Sequence, residues 1–275
     1  MPHRRRVPHL LVGFLGLYLA TAWPVAAEPL RLGGKSGFTE LLRQLGSRFG
    51  LVTGTLVEVV PGLGSTAAIK AASAGGIQLV LAGRALLPNE AASNLSSSLS
   101  VCTPFVFATS EPQPGSLDAG AIASIYARAA PTWPGGLPIR IILRQKHESD
   151  NATLSELFPD MQRAIQQARL RPAVPVVETD QENASLAVKL PGSLIATTYT
   201  QIIAERHDLR LVAINGMSPD METYESGQYP FGKRLYFYAA RRPAPEVSQF
   251  LDFLRSPGGT KAMWDLGVGT CPRSD

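Results

Sequence analysis

The feature that most restricts the fold of this chain is a recurring unit: a short apolar strand, a loop of glycine and hydroxyl residues, then a helix. Leu30-Arg31-Leu32-Gly33-Gly34 reads as a strand entering a glycine turn. Phe38, Leu41, Leu42, Leu45 and Phe49 follow at helical spacing on one face. Residues 55–60 repeat the strand, Pro61-Gly62-Leu63-Gly64-Ser65 the loop, and 66–74 an alanine-rich helix. Residues 77–81 are a further buried strand. Strands alternating with helices pack as a parallel sheet covered on both faces, so the fold class is α/β.

The pattern continues less regularly. Residues 90–100 are polar and Ser/Asn-rich and are expected to include a surface helix, and 103–108 read as a strand. Glu111-Pro112-Gln113-Pro114-Gly115 breaks regular structure and is the candidate first crossing between two lobes. Helices are expected over 118–129, 152–168, 181–189, 245–254 and a last stretch reaching 266. Strands are expected over 139–143, 174–178, 194–198, 211–214 and 234–240.

The first 27 residues read as an address. Arg4, Arg5 and Arg6 precede an apolar run over 10–23, and the small residues Val25-Ala26-Ala27 precede Glu28. That is the layout of a secretory signal peptide cut after Ala27, and the run is short for a membrane span. Cleavage would leave 248 residues with 23 basic and 22 acidic side chains, a net charge of +1. The basicity of the whole chain is therefore no argument for a nucleic-acid partner. Cys102 and Cys271 are the two cysteines; in an oxidising compartment they either pair or remain buried thiols. With the histidines scattered, they make no zinc pattern, and no cofactor is implied.

Three strand-to-helix junctions carry small and hydroxyl residues: Gly33 to Thr39, Gly62 to Thr66, and His147-Glu148-Ser149-Asp150-Asn151-Ala152. Backbone N–H groups and the positive end of a helix at such a junction suit an oxyanion. Each loop alone is also what ordinary turns and caps look like, and Asp150 reads as an ordinary N-cap. Gly34-Lys35-Ser36 imitates the end of a P-loop, but Pro29 stands where that motif needs glycine. Gly62-Leu63-Gly64-Ser65 is not a nucleophile elbow, and no nucleophile–base signature points to a hydrolase.

The order of segments resembles the phosphate-binding proteins of ABC importers, among the type II periplasmic binding proteins. The resemblance rests on Gly64-Ser65-Thr66-Ala67-Ala68-Ile69-Lys70-Ala71, residues 77–87, Trp133, residues 139–144 and Pro191-Gly192-Ser193-Leu194-Ile195. Its most specific stretch runs from Gly227-Gln228-Tyr229-Pro230-Phe231 through Leu235-Tyr236-Phe237-Tyr238. It implies a two-lobed type II fold, with residues 28–108 and 232–275 forming lobe I and 109–231 lobe II. It further implies a monomer that is no enzyme, captures a small anion in the periplasm and passes it to an ABC permease. The alternative is a sensory or interaction module of the same fold.

By position, the resemblance makes Ser36, Gly37, Gly64, Ser65, Arg84, Arg144, Ser149 and Asn151 the ligand-binding candidates. Two departures stand out. Ser149-Asp150-Asn151 replaces the usual Ser-Gly-Thr one residue further from the arginine, and Arg84 stands near where some members carry an aspartate.

Overall fold

The computed structural model describes residues 28–272, so the expected signal peptide lies outside the described residues. β1 (Leu30–Gly34), α1 (Thr39–Thr53), β2 (Val57–Val60), α2 (Ser65–Ser73) and β3 (Leu79–Ala82) follow one another as the repeat predicts. β1 lies between β2 and β3 and runs parallel to both. The middle of the chain supplies β4 (Leu95–Thr109), β5 (Ser116–Leu117), α3 (Ile122–Ala127), β6 (Arg140–Ile141) and β7 (Leu143–Arg144). It continues with α4 (Ser149–Leu157), α5 (Met161–Arg169), β8 (Val176–Val177), α6 (Asp180–Lys189) and β9 (Ser193–Thr198). Then come α7 (Tyr199–Glu205), β10 (Arg210–Ile214), α8 (Met221–Glu225), β11 (Gly232–Ala240), α9 (Pro245–Arg255) and α10 (Pro257–Asp265).

The main sheet has the order β2-β1-β3-β11-β4-β10-β5, with β9 also paired to β4 and β6 beside β9. It is mixed: β11 is antiparallel to both β3 and β4. Residues 95–104 of β4 pair with β11, whereas 105–109 pair with β9 and β10.

Sequence and structure part company in two places. The helix expected within 90–100 is absent, because Leu95 to Ser100 instead form the start of β4 and pair along β11. Serine is a poor helix former, and here a long-range ladder decides. The helix expected over 152–168 is two helices. Pro159 holds Phe158 in extended backbone (φ −126°, ψ 126°), and Asp160 turns left-handed at φ 59° before α5 starts. The short helices α7 and α8 had no periodic signal to reveal them.

Of four apolar clusters among the described residues, the two largest mark the two lobes. In the first, Phe38, Leu41, Leu42, Leu45 and Phe49 on the inner face of α1 meet Phe250, Leu251 and Leu254 of α9. The Phe49 and Phe250 rings meet edge-on, 5.1 Å apart. The second is built on Phe105, Phe107, Tyr126, Trp133, Phe158 and Tyr229. Its polar tips are satisfied: Trp133 Nε1 donates to Gly192 O at 3.1 Å, and Tyr229 Oη to Phe105 O at 2.8 Å. β4 feeds both cores, Val101 the first and Phe105 and Phe107 the second. A disulfide joins Cys102 to Cys271 across 169 residues, tying the C-terminal tail to β4. Among the described residues no helix is long and apolar enough to cross a membrane.

Candidate functional site: a buried ion cluster between the lobes

After β1 the chain crosses its neighbour closely, the Lys35 N–H donating to Leu81 O at 3.0 Å. Ser36–Phe38 then form a single tight turn leading into α1. That turn presents the Lys35 side chain, Ser36 Oγ and the Gly37 N–H to the cleft, and β11 adds Lys233 from the same lobe. From the second lobe, β7 delivers Arg144, the first turn of α4 delivers Ser149 and Asp150, and the first residue of α6 is Asp180.

These groups meet in one buried cluster. The Asp180 carboxylate sits where the donors of both lobes converge. Its Oδ2 accepts from Ser36 Oγ at 2.6 Å and from Gly37 N at 2.8 Å. Its Oδ1 lies 2.5 Å from Lys35 Nζ and 3.4 Å from Arg144 Nε. Lys35 also reaches Asp150 Oδ2 at 3.1 Å, and Lys233 donates to Asp150 Oδ1 and, at 2.9 Å, to Ser149 Oγ. Glu148 Oε2 closes the group 3.3 Å from Arg144 Nη2. The two ammonium groups also face aromatic rings, Lys35 that of Phe38 and Lys233 that of Phe105, each just under 6 Å away.

Three cations (Lys35, Arg144, Lys233) and three carboxylates (Glu148, Asp150, Asp180) leave no net charge in the cluster. The sign separates by lobe, +2 on the first and −2 on the second, so the lobes attract one another. Burial alone would raise the Asp150 carboxyl, but Lys233, Lys35 and Arg144 outweigh it and hold Asp150 well below the usual carboxylate range. Asp180 is likewise depressed: burial opposes ionisation, and Lys35 and Arg144 overcome it. Burial also works against the Lys35 ammonium, yet Asp150 and Asp180 hold its pKa above the ordinary value. At Lys233 burial prevails over Asp150, and the pKa is lowered.

Two glycines make the room. A Cβ on Gly37 would lie 3.2 Å from the Asp180 carboxyl carbon. One on Gly83 would lie 3.0 Å from Lys233 Cε, 3.1 Å from Lys35 Cδ and 3.1 Å from Ser149 Oγ. A side chain at either place would press directly on the charged groups.

The residues singled out in the sequence are scattered over several roles. Ser36, Gly37, Arg144 and Ser149 lie in the cluster. Gly64 precedes α2 and lines the cleft outside the cluster; Ser65 lies beside it, but its Oγ accepts from Gly83 N at 3.1 Å. Arg84 is held in a two-pronged pair with Glu90, both contacts 2.7 Å, and donates to Thr66 Oγ1 at 2.8 Å. Asn151 turns away, donating to Gln145 O at 2.6 Å. Asp150 is not the N-cap of its helix: Glu148 holds that place, and the Asp150 side chain is buried in the cleft. Lys35, Asp180 and Lys233 were missed. Lys35 carries only the imitation P-loop, and an aspartate starting a helix looks like dipole complementarity. Nothing local signals that Asp180 reaches Ser36, 144 positions away.

Outside the cluster the cleft opens into a cavity of about 850 Å³, lined by Ser36, Gly64, Ser65, Lys70, His147 and Glu178 among others. Among the described residues, no three His, Cys, Asp or Glu side chains are placed to hold a metal ion.

Several solved structures share this architecture. An ABC-transporter substrate-binding protein from Clostridium perfringens, solved with bound phosphate, superposes with a TM-score of 0.73 at 15% identity, covering 88% of this chain and 99% of that one. An ABC-type phosphate transport receptor from Vibrio cholerae gives 0.61 at 16% identity, covering 88% and 99%. The periplasmic molybdate-binding protein of Azotobacter vinelandii gives 0.58 at 12%, covering 89% and 100%. At these identities the likeness is one of fold. No curated protein matches the sequence. A family model described as the PBP superfamily domain matches residues 19–257. Solute-binding proteins of this superfamily are non-catalytic accessories of transport, which is consistent with the expectation of no enzymatic activity. With the two-lobed type II fold and the family match agreeing over most of its length, the chain belongs to the PBP superfamily.

Proposed function

We propose that the chain is an extracytoplasmic solute-binding protein that takes a small oxyanion between its lobes and presents it to an ABC permease. One observation carries this reading: Ser36 Oγ, the Gly37 N–H, Lys35 and Arg144, drawn from both lobes, converge on a single carboxylate. Donors fixed in that arrangement replace the water an oxyanion gives up, and Arg144 suits two-pronged recognition of its oxygens. Arg144 Nε and Nη2 are buried and make no aligned hydrogen bond; they face the Asp180 and Glu148 carboxylates at 3.4 and 3.3 Å. The cavity outside the cluster provides the way in.

The test is the melting temperature of residues 28–275, freed of ligand by unfolding and refolding, in rising concentrations of phosphate, sulfate, molybdate and small carboxylates. A ligand that favours the native state raises it. A saturable rise with one anion, lost in Arg144→Ala, is expected; no rise with any anion up to high millimolar concentrations would end the receptor reading.

A second reading is favoured by the occupant of the cradle, which is the protein's own Asp180. A binding protein closed on its own carboxylate can act as a sensory or interaction module, offering its closed surface to a membrane partner without a solute. Binding to that partner in anion-free buffer would distinguish it.

A further inference from the structure

Each charged group of the cluster faces an opposite charge from the chain itself, and the residue on which the donors of both lobes converge is Asp180. We propose that Asp180 is an internal ligand: a tethered carboxylate that occupies the oxyanion cradle, closes the lobes in the absence of solute, and limits the site to singly charged oxyanions. The inference deepens the oxyanion-receptor reading and rests on it.

The contacts made by Asp180 are those of a bound anion rather than of a helix-start residue. Thr179 caps α6, its hydroxyl accepting from Glu182 N while Glu182 reaches back to the Thr179 N–H. The helix therefore has its cap without Asp180, whose side chain points to the other lobe. There both carboxylate oxygens are engaged, Oδ2 by Ser36 Oγ and Gly37 N and Oδ1 by Lys35 and Arg144. The backbone closes around the same contact: Asp180 N donates to Ser36 Oγ at 3.1 Å, and Gln181 Nε2 to Ser36 O at 2.7 Å. Asp180 is 1% exposed, so the cradle has no room for a second anion while it is in place.

Charge decides what can replace it. With Asp180 in place the six ionised groups cancel, and an incoming dianion would bring two uncompensated charges into a buried site. With Asp180 withdrawn, Lys35, Arg144 and Lys233 face Glu148 and Asp150, leaving +1. The matching guest carries one negative charge on a planar or tetrahedral oxyanion head, such as a carboxylate or dihydrogen phosphate. Divalent sulfate is overcharged for this site. A guest must also compete with a group already tethered at the cradle, so its apparent affinity is reduced by the fraction of molecules in which Asp180 is withdrawn.

The experiment is calorimetric titration of ligand-free wild type, Asp180→Ala and Asp180→Asn with sodium acetate, phosphate and sulfate. Hydrogen exchange at the Gly37 amide is followed in parallel. If the withdrawn state is populated less than about one time in ten, removing Asp180 strengthens acetate binding at least about tenfold. Sulfate is expected to gain far less. The Gly37 amide, which loses its acceptor, exchanges faster in Asp180→Ala and is protected again by acetate. Asp180→Asn keeps the shape, and an acceptor for the Gly37 N–H, without the charge; should the alanine variant not fold, its gain in acetate affinity carries the test. Acetate binding by the variants with none by wild type supports the internal ligand while ending the receptor reading. Equal affinity of wild type and variants for an anion overturns the internal ligand and leaves the receptor reading standing. No anion binding by any of the three proteins overturns both.

Discussion

Asp150 is the carboxylate whose removal most directly probes the ion cluster. It is 1% exposed and lies between two ammonium groups, Lys35 at 3.1 Å and Lys233, which are themselves each 3% exposed. Asp150→Asn keeps the shape and removes the charge, leaving three cations against Glu148 and Asp180. Forming such a cluster is close to energetic balance. An ion pair at about 4 Å gains about 4 kcal/mol at an effective dielectric constant of about 20, and burial costs several kcal/mol per ion. Breaking it by removing one partner is not balanced, because the remaining charge stays buried, and the cost is about 3–5 kcal/mol. For a chain of this length each kcal/mol moves the melting temperature by about 2–4 °C, so a fall of about 6–20 °C is expected. The informative control is the double variant Asp150→Asn with Lys233→Met, in which Lys35 and Arg144 again balance Glu148 and Asp180. Calorimetric melting at neutral pH should show the double variant recovering most of the loss. A single variant that melts within about 2 °C of wild type, or a double variant that loses the sum of both single changes, would refute the reasoning.

Acid should weaken the fold through the same residues. Asp150 and Asp180 titrate lower in the folded chain than in the unfolded one, so their contribution is fully present above the unfolded value near pH 4. It is lost as the pH falls through the depressed folded values. Urea midpoints should therefore fall progressively below about pH 5, and a midpoint unchanged down to pH 3 would contradict the assignment. The Cys102–Cys271 bridge closes a loop of 169 residues, and its removal by paired Cys→Ala changes should cost about 2–5 kcal/mol of stability. A change below about 1 kcal/mol in denaturant melts would show that the unfolded chain gains little from the link.

The first lobe was legible because its signals are local. The α1 face of Phe38, Leu41, Leu42, Leu45 and Phe49 repeats at helical spacing, and β1, β2 and β3 are short apolar runs closed by glycine loops. The start of β4 was not legible: Leu95 to Ser100 take their strand state from β11, more than 130 residues later in the chain. Pro159 is the visible mark of the break between α4 and α5, and helical periodicity on both sides concealed it. At the site, the family resemblance points by position to Ser36, Gly37, Arg144 and Ser149, and all four lie in the cluster. The resemblance points equally to Arg84 and Asn151, but these are bound locally, to Glu90 and to Gln145. Lys35, Asp180 and Lys233 gain their meaning only when the lobes meet, so no window of sequence contains the signal.

The account rests on lobes that close on their own opposite charges, and small-angle scattering of the ligand-free wild-type protein tests this most directly. The expected profile is that of the closed structure, unchanged when acetate or phosphate is added at low millimolar concentration. An expanded profile without anion, contracting when one is added, would show that solute and not Asp180 closes the cleft.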